Sequence, residues 1–284
     1  MNISKTQGLV AAPPTPFRED GSIDFGAISP LAAHLHHAGV AGVFVNGTTG
    51  EGMSLTTDER EQAAEAWRAA VPEGMRLFIH AGHNCQKDGI RLAAHAQSIG
   101  ADAVAIVAPG FFKPASIEAL VSWCEPIAAA APELGFYYYH IPSFSGVSFP
   151  IARFLATASD RIANLAGIKF TFEAMADFQE ALEYGNGRFD VLWGRDEMLL
   201  AALATGARGG VGSTFNVAAP LYLKLIAAFE QNDLKLARQY QAQAIAMINQ
   251  MAATGNFFVA LKAMLKAQGV PISTRVRPPL PSQS

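Results

Sequence analysis

Residues 38–46 read Ala38-Gly-Val-Ala-Gly-Val-Phe-Val-Asn46 and join the end of one element to the start of the next. Gly39 ends a predicted amphipathic helix that runs from about Phe25 to Ala38, because glycine readily takes the left-handed conformation that closes a helix. The apolar run Gly42–Asn46 then predicts a buried strand. The stretch therefore predicts a helix that is followed, after a tight turn, by a strand.

The same connection returns at Ile99-Gly-Ala-Asp-Ala103 and at Thr205-Gly-Ala-Arg-Gly209. Along the chain, strand-like runs alternate with helical patterns without a long gap, which is typical of parallel strands joined by crossover helices. The predicted strands are Gly8–Ala12, Gly42–Asn46, Leu77–Ala81, Ala103–Val107, Gly135–His140, Leu165–Phe172, Phe189–Trp193 and Gly209–Ser213. Eight strand–helix units favour a (β/α)8 TIM barrel, an α/β fold, over an open doubly wound sheet.

The chain continues beyond the eighth strand with three more helical stretches, at about 221–231, 234–253 and 258–268. A barrel needs only one helix at this point, so the surplus predicts a C-terminal helical extension. We therefore expect a (β/α)8 catalytic barrel over residues 1–218 and a helical extension over residues 219–284. The Pro-rich end of the chain, from Arg275 onward, is expected to be irregular.

The composition is that of an ordinary globular enzyme. The 284 residues carry a formal net charge of -3 without a run of like charges, which argues against nucleic acid or an anionic membrane as a partner. Cys85 and Cys124, both expected in helices, show no metal-binding spacing and are expected to be free thiols in a reducing cytoplasm. The N-terminus lacks the apolar core of a signal peptide, and no apolar run is long enough for a bilayer. We expect a cytoplasmic protein.

Lys169 lies in the middle of the sixth predicted strand, between Ile168 and Phe170. The other lysines are expected near the terminus, in loops or on helices where water reaches the ammonium; they are Lys5, Lys87, Lys113, Lys224, Lys235, Lys262 and Lys266. Burial lowers the pKa of an amine, and a neutral amine near pH 7 can form a Schiff base with a carbonyl. On this stretch alone, a lysine that snorkels from the strand end to solvent explains the sequence equally well.

The residues that follow the C-terminal ends of barrel strands face one shared mouth. They are Thr48, Thr49, His80, His83, Tyr139, His140, Lys169, Thr171, Gly194, Asp196, Glu197, Ser213 and Thr214. The set is polar and mostly uncharged, with one amine and one phenol. It fits carbonyl chemistry on a small polyhydroxy acid better than hydride transfer or metal hydrolysis.

Three ordered motifs, Gly47-Thr-Thr-Gly-Glu51, Tyr139-His-Ile-Pro142 and Gly167-Ile-Lys169, resemble the signature motifs of the N-acetylneuraminate lyase and dihydrodipicolinate synthase family of class I aldolases. The resemblance runs from about Gly8 to about Arg277. Further stretches look most like the sialate lyase branch; they are Phe136–Pro142, Trp193–Glu197 and Gly212–Asn216. The resemblance implies a (β/α)8 barrel with a C-terminal helical domain, usually a homotetramer, and no metal or organic cofactor.

The resemblance also implies roles for individual residues. Lys169 matches the Schiff-base lysine, Tyr139 the catalytic tyrosine, and Thr48 with Thr49 the pair that holds the pyruvoyl carboxylate. The positions that would contact the sugar chain are Thr171, Gly194, Asp196, Glu197 and Ser213. Acidic side chains are suitable there, because the hydroxyls of a polyol need hydrogen-bond acceptors.

The chain departs from the synthase branch at two places. Synthases carry an arginine where this sequence has Phe144, and a tyrosine pair where it has Phe111 and Phe112, so the resemblance argues against synthase activity. Three hypotheses remain: cleavage of a sialic acid to pyruvate and N-acetylmannosamine, the same imine chemistry on another 2-keto-3-deoxy acid as aldolase or dehydratase, and a non-catalytic barrel that binds a keto acid.

Some residues keep a structural interpretation beside the functional one. Glu51 is expected to bond loop amides beneath Thr48 and Thr49, and His80 and His83 are expected to be structural more than functional. Tyr139 taken alone fits a core aromatic as well as a catalytic group. The glycine-rich stretch Gly209–Thr214 is compatible with a phosphate cradle, although glycines alone are weak evidence for one.

Overall fold

The computed structural model describes residues 5–281, so the parts of the sequence-based predictions that fall on residues 1–4 and 282–284 lie outside it. Eight parallel strands close into a barrel in the order of the sequence. They are β1 Gly8–Ala11, β2 Gly42–Val45, β3 Arg76–His80, β4 Ala103–Val107, β5 Gly135–His140, β6 Leu165–Phe170, β7 Asp190–Trp193 and β8 Gly209–Gly212. The predicted (β/α)8 fold is confirmed, with strand ends that differ by two residues at most.

Helices cover the outside of the barrel and extend beyond it. They are α1 Ile28–His37, α2 Thr57–Ala70, α3 Gln86–Ser98, α4 Ile117–Ala129, α5 Pro142–Ser145, α6 Ile151–Ala158, α7 Met175–Gly187, α8 Leu199–Thr205, α9 Phe215–Glu230, α10 Leu234–Ala253 and α11 Phe257–Ala267. Cys124 is buried in α4, whereas Cys85 is exposed and precedes α3, so the prediction that both cysteines lie in helices was wrong for Cys85. Both cysteines are free.

The helix boundaries follow local chemistry. The Thr56 side chain accepts a hydrogen bond from the Glu59 backbone N–H while the Glu59 carboxylate accepts one from the Thr56 N–H, and this capping box starts α2. The glycines of the recurring turn, Gly39, Gly100 and Gly206, all have positive φ, at 82°, 70° and 114°. Only glycine takes this conformation at little cost, which is why the same short turn can return three times.

Side chains alternate between the inside and the outside of the barrel wall, as they do along any strand. One apolar set fills the inside and includes Phe44, Phe78, Tyr137 and Tyr139. A larger set packs between the wall and the surrounding helices. On the neighbouring strands β5 and β6, Tyr139 pairs in register with Lys169. This register places the phenol and the amine side by side on the inner wall.

The last three helices pack on one another and reach back to the barrel mouth, where Ile248, Phe257 and Phe258 line a cavity. Helix α9 starts at Phe215, and the division of the chain at residue 218 stays a prediction. Within residues 5–281, no single helix is long and apolar enough to cross a membrane. Helices α10 and α11 pass that test by length and composition only when taken together, and they meet at a bend of 115°.

Candidate active site

A cavity of about 360 Å³ opens at the C-terminal ends of the strands. All nine residues that the sequence predicts for the site line it: Thr48, Thr49, Tyr139, Lys169, Thr171, Gly194, Asp196, Glu197 and Ser213. A neighbouring lobe of about 320 Å³ shares part of this lining, including Thr48, Tyr139 and Phe144. The fold therefore brings side chains from β2, β5, β6, β7 and β8 to one place.

Lys169 is buried at the base of this cavity, with 4% of its surface exposed. Its Nζ lies 3.9 Å from the centroid of the Phe44 ring and 3.9 Å from that of Tyr139. Burial lowers the pKa of Lys169 to about 7, and the nearby Asp196 carboxylate acts in the opposite direction. The side chain does not snorkel to solvent, so the structural alternative for Lys169 does not describe this protein.

Tyr139 is the third of three consecutive tyrosines that the barrel wall separates. Tyr138 points outward and packs against Phe154, with ring centroids 4.6 Å apart, as expected when one of the three faces away from the cavity. The Tyr139 hydroxyl lies 3.3 Å from Thr48 Oγ1. Burial raises the pKa of Tyr139 to about 12, and the hydrogen bond with Thr48 acts against this rise. At neutral pH, Tyr139 is therefore a protonated phenol.

The turn after β2 carries Thr48 and Thr49 into the cavity. Thr49 Oγ1 lies 2.6 Å from Ser213 Oγ, so the turn is in contact with the end of β8. Two residues of this turn, Asn46 and Glu51, have positive φ angles of 60° and 53° although neither is glycine. Such conformations persist only where the surroundings hold them in place.

The opposite wall of the cavity is acidic. Asp196 is buried, and its Oδ2 accepts hydrogen bonds from the backbone N–H and the hydroxyl of Thr214, at 2.7 and 2.5 Å. Burial raises the pKa of Asp196 to about 6, against the effect of these hydrogen bonds. Glu197 is half-buried and lies 3.2 Å from Arg195 Nε, and Arg195 also pairs with Glu173. Arg195 thus lies beside two carboxylates.

Backbone contacts fix the ends of β6 and β7 beside each other. The Gly194 N–H donates to the Phe170 carbonyl at 2.7 Å. A Cβ at position 194 would clash with Thr171 Oγ1. Glycine at this position therefore lets the two strand ends approach while both still line the cavity.

A hydrogen bond at the end of Gly209–Thr214 argues against the phosphate alternative. A phosphate cradle needs backbone N–H groups that are free to bind an anion. The Thr214 N–H already donates to the Asp196 carboxylate.

Among residues 5–281, no group of three or more His, Cys, Asp or Glu side chains is arranged to hold a metal ion.

The structure corrects the predictions for Lys262 and Glu51. Lys262 was expected to be reached by water, yet its side chain is fully buried and its Nζ donates to Glu51 Oε1 at 2.7 Å. Glu51 bonds this lysine and the backbone N–H of Arg277, not the loop amides. Lys262 lies on the buried stripe of α11 between Val259 and Leu265, and this spacing of three residues was a signal in the sequence.

None of the three histidines near the predicted mouth lines this cavity. His140 packs against Phe170 and Phe172 and does not line the cavity. His80 is buried, its Nδ1–H donates to the Asn46 carbonyl at 3.0 Å, and it lines only the neighbouring lobe. His83 is half-buried near Asp88, with Nδ1 3.7 Å from the carboxylate.

The closed barrel, with a buried amine beside a phenol on its inner wall, defines a (β/α)8 enzyme of the class I aldolase type. Residues 5–284 match the dihydrodipicolinate synthetase family, and the chain belongs to this family.

Known relatives narrow the resemblance. The chain is 42% identical over 283 residues to N-acetylneuraminate lyase of Rattus norvegicus, which covers 98% of this chain and 88% of the relative. Among solved structures, N-acetylneuraminate lyase of Proteus mirabilis matches with a TM-score of 0.95 and 40% identity over 99% of this chain and 95% of its own. The native lyase of Aliivibrio salmonicida matches with a TM-score of 0.95 and 37% identity, over 99% and 93% of the two chains.

Proposed function

We propose that this chain is a carbon–carbon lyase that cleaves N-acetylneuraminate to pyruvate and N-acetylmannosamine through an imine on Lys169. The observation that carries the proposal is the buried Lys169 amine, whose pKa is lowered to about 7, beside Tyr139 in a cavity with two threonine hydroxyls. The relatives that match nearly the whole chain carry the name of this activity.

The first step is imine formation at the ketone carbon of the open-chain substrate. The neutral Lys169 amine attacks this carbon, and the carbonyl oxygen leaves as water. The substrate carboxylate is held by Thr48 and Thr49, whose hydroxyls and backbone N–H groups act as fixed donors. The imine takes up one proton from solvent, and the protonated imine is the electron acceptor for the second step.

In the second step, the bond between C3 and C4 breaks. The hydroxyl on C4 loses its proton and becomes the aldehyde of the sugar product, while the bonding electrons move into the imine to give an enamine. Tyr139 accepts this proton as it passes its own proton to the carboxylate held by Thr48, because a phenol with a raised pKa is a poor base on its own. Protonation of the enamine at C3 and hydrolysis of the imine release pyruvate and restore Lys169.

The sugar end of the substrate lies along the acidic wall. Asp196 and Glu197 offer carboxylate oxygens to its hydroxyls, and Ser213 and Thr171 offer hydroxyl groups. Gly194 lets the ends of β6 and β7 approach so that both line this wall, since a side chain there would clash with Thr171. This wall meets the threonine pair where Ser213 contacts Thr49, and the two ends of the substrate have different binding groups.

The same imine chemistry on another 2-keto-3-deoxy acid, as aldolase or dehydratase, is the alternative that the cavity also supports. Synthase activity is disfavoured because Phe144, not arginine, lies at the rim of the cavity. The arginine that lines the cavity, Arg195, already pairs with Glu173 and Glu197. A barrel that only binds a keto acid would have no use for a buried amine with a lowered pKa. From the resemblance we further propose a homotetramer, and from the two free cysteines a location in the cytoplasm.

Borohydride reduction in the presence of pyruvate tests the imine directly. The wild-type protein should gain the mass of one reduced pyruvyl group, and peptide mapping should place it on Lys169. Lys169→Ala and Lys169→Arg should lose both the adduct and cleavage, since arginine keeps a positive charge but forms no imine. Lys266→Arg, an exposed lysine of α11, is the control and should behave as wild type.

A panel of 2-keto-3-deoxy acids then decides the substrate. N-acetylneuraminate should be cleaved with the highest kcat/KM, and release of pyruvate and N-acetylmannosamine should be equimolar. Higher kcat/KM for another acid would move the assignment to the alternative. Normal cleavage by Lys169→Arg would refute the imine mechanism altogether.

A further inference from the structure

Glu51 and Lys262 form an ion pair in which neither side chain is exposed to solvent. The distance between Glu51 Oε1 and Lys262 Nζ is 2.7 Å, and both side chains have 0% exposure. The two residues are separated by 211 positions in the sequence. Burying two charges costs free energy, and such a pair is often no more stabilising than apolar side chains of the same size. The pair therefore calls for an explanation other than stability of the fold.

The C-terminal tail makes a further hydrogen bond to each member of the pair. Glu51 Oε2 accepts from the Arg277 backbone N–H at 2.8 Å, and Lys262 Nζ also donates to the Arg275 carbonyl at 2.6 Å. The Lys262 ammonium lies 4.5 Å from the centroid of the Phe17 ring. The pair is thus held by α11 on one side and by the tail on the other.

Arg277 extends this network to the start of α2. Its guanidinium donates to the carbonyls of Gly21 and Ser54, and it forms an ion pair with Glu59 of the capping box. Ser54 ends the same turn that carries Thr48 and Thr49. The turn is therefore bonded to the C-terminal part of the chain at Glu51 and at Ser54.

Glu51 in turn determines where the threonine pair lies. It is two residues from Thr49, and its own backbone N–H donates to the Thr48 carbonyl at 3.0 Å. Its left-handed backbone is unfavourable for a residue with a side chain, so something must hold it. The next residue, Gly52, packs so closely on the Asn46 carbonyl that a Cβ there would clash. A shift of Glu51 would therefore move Thr48.

We propose that Lys262 is a positioning residue, which holds Glu51 and thereby the turn that presents Thr48 and Thr49 to the carboxylate of the keto acid. The proposal rests on the proposed function of this cavity. Lys262 does not line the cavity and touches no reacting atom. Its effect is on the binding of the pyruvyl end, because the turn meets that end of the substrate.

The other wall of the cavity has its own anchor on the C-terminal helices. Gln241 of α10 donates to the Asp196 carbonyl at 3.2 Å and accepts from the Leu200 backbone N–H at 2.9 Å. The C-terminal helices thus hold the carboxylate end and the sugar end of the site through different residues. Gln241→Leu is therefore a matched control for the Lys262 variants: it loosens the other wall of the site and shows whether general loosening alone weakens pyruvate binding.

The test measures the pyruvate concentration that half-saturates borohydride trapping at Lys169, and compares it between the wild-type protein and the variants. Lys262→Met and the double variant Glu51→Gln/Lys262→Met are first checked for folding by circular dichroism. In both, we expect half-saturation to need roughly tenfold to 10²-fold more pyruvate, the range that a displaced positioning group costs. Lys266→Met, four residues further along α11 and exposed, should match wild type. Gln241→Leu should raise the KM for cleavage while the pyruvate dependence of trapping stays within about twofold of wild type.

Several results would overturn the proposal. One is a folded Lys262→Met protein, or a folded double variant, with the pyruvate dependence of wild type. Another is an equal loss of pyruvate affinity in Gln241→Leu, which would show general loosening. If Lys262→Met fails to fold, the double variant, which leaves no unpaired charge, decides. If both fail to fold, the pair is needed for folding and the positioning role is refuted.

The wild-type arm keeps the two proposals apart. If pyruvate and borohydride do not modify Lys169 in the wild-type protein, the proposed function fails. If they do modify Lys169, and the Lys262 variants show the same pyruvate dependence of trapping as wild type, only the positioning role fails.

Discussion

Lys169, Tyr139 and Asp196 lie in one cavity. Burial shifts the pKa of each in the direction that favours its uncharged form. It lowers the pKa of Lys169 to about 7 and raises those of Tyr139 and Asp196 to about 12 and about 6. Burial disfavours the charged form of a group, and this single effect has two consequences here. It supplies a neutral amine at neutral pH, and it keeps the phenol protonated, so that Tyr139 acts by relaying a proton and not as a phenolate.

The first prediction concerns the pH dependence of imine formation. Only the neutral amine attacks the ketone, so the initial rate of trapping with pyruvate should rise as the pH increases through about 7 and level off above it. The measurement uses cyanoborohydride between pH 5.5 and 9, with the adduct quantified by mass spectrometry. Asp196→Asn removes the carboxylate that raises the pKa of Lys169, so its midpoint should lie at a lower pH. A wild-type rate that still rises at pH 9 without levelling off would contradict the role of burial.

The second prediction concerns Tyr139. Tyr139→Phe keeps the amine and the threonine pair, so trapping with pyruvate should remain within a few-fold of wild type. Cleavage should fall by roughly 10²–10⁴-fold, the usual contribution of a positioned acid–base group. The loss should be seen in kcat more than in KM, because the contact matters mainly in the transition state. Cleavage near the wild-type rate would make Tyr139 a packing residue.

At the scale of elements, the alternation of strands and helices could be predicted well from the sequence, and the packing of the helices less well. The glycine turns and apolar runs predicted all eight strands, because these signals are local. The apolar neighbours of Lys169 on its strand made burial one of two equal interpretations, and the structure decides for burial. The burial of Lys262 was missed because a lysine on a helix was expected to reach water, although its spacing from Val259 and Leu265 places it on the apolar stripe of α11. Its partner Glu51 is decided by tertiary packing alone. The direction of His140 was also missed, although strand alternation, a local rule, places it on the opposite face of β5 from Tyr139.

The third prediction concerns the contact between the ends of β6 and β7. Gly194→Ala puts a Cβ where Thr171 Oγ1 lies, so it should lower the free energy of unfolding by about 1–3 kcal/mol, as overpacking does. Thr171→Ala added to it removes the clashing hydroxyl and should recover part of this loss. Urea unfolding of the two single variants and the double variant gives the coupling energy. Strictly additive effects would show that the two side chains do not compete for space.

The fourth prediction concerns the loops after β4 and β5. The wild-type protein should not condense pyruvate with aspartate semialdehyde at a useful rate, because Phe144 offers no charge to a second carboxylate. Phe144→Arg alone should not create this activity, since Phe111 and Phe112 still lack hydroxyls. A coupled assay for the condensation product, with pyruvate trapping as the check that the site is intact, measures both proteins. Efficient condensation by the wild-type protein would refute the assignment to the lyase branch.

At the scale of the whole molecule, the barrel and its C-terminal extension contribute different parts of one site. The barrel supplies the lysine and the tyrosine from adjacent strands. The extension supplies Lys262, Gln241 and the aromatic residues at the mouth. A sequence reveals the first part because the strands repeat a local pattern. It reveals the second part poorly, because contacts such as that between Glu51 and Lys262 join positions far apart in the chain.

The last prediction concerns the assembly of these molecules. Phe111 and Phe112 are 78% and 85% exposed, and their rings contact each other edge to face with centroids 4.9 Å apart. Exposed adjacent aromatics are costly to leave in water and often mark a protein interface. Together with the resemblance, this predicts a homotetramer, with a mass by light scattering of about four times the 30.1 kDa of one chain. Phe111→Ser/Phe112→Ser should weaken the assembly if this pair lies between subunits, whereas Lys266→Met should not. A wild-type monomer at micromolar concentration would contradict the predicted tetramer.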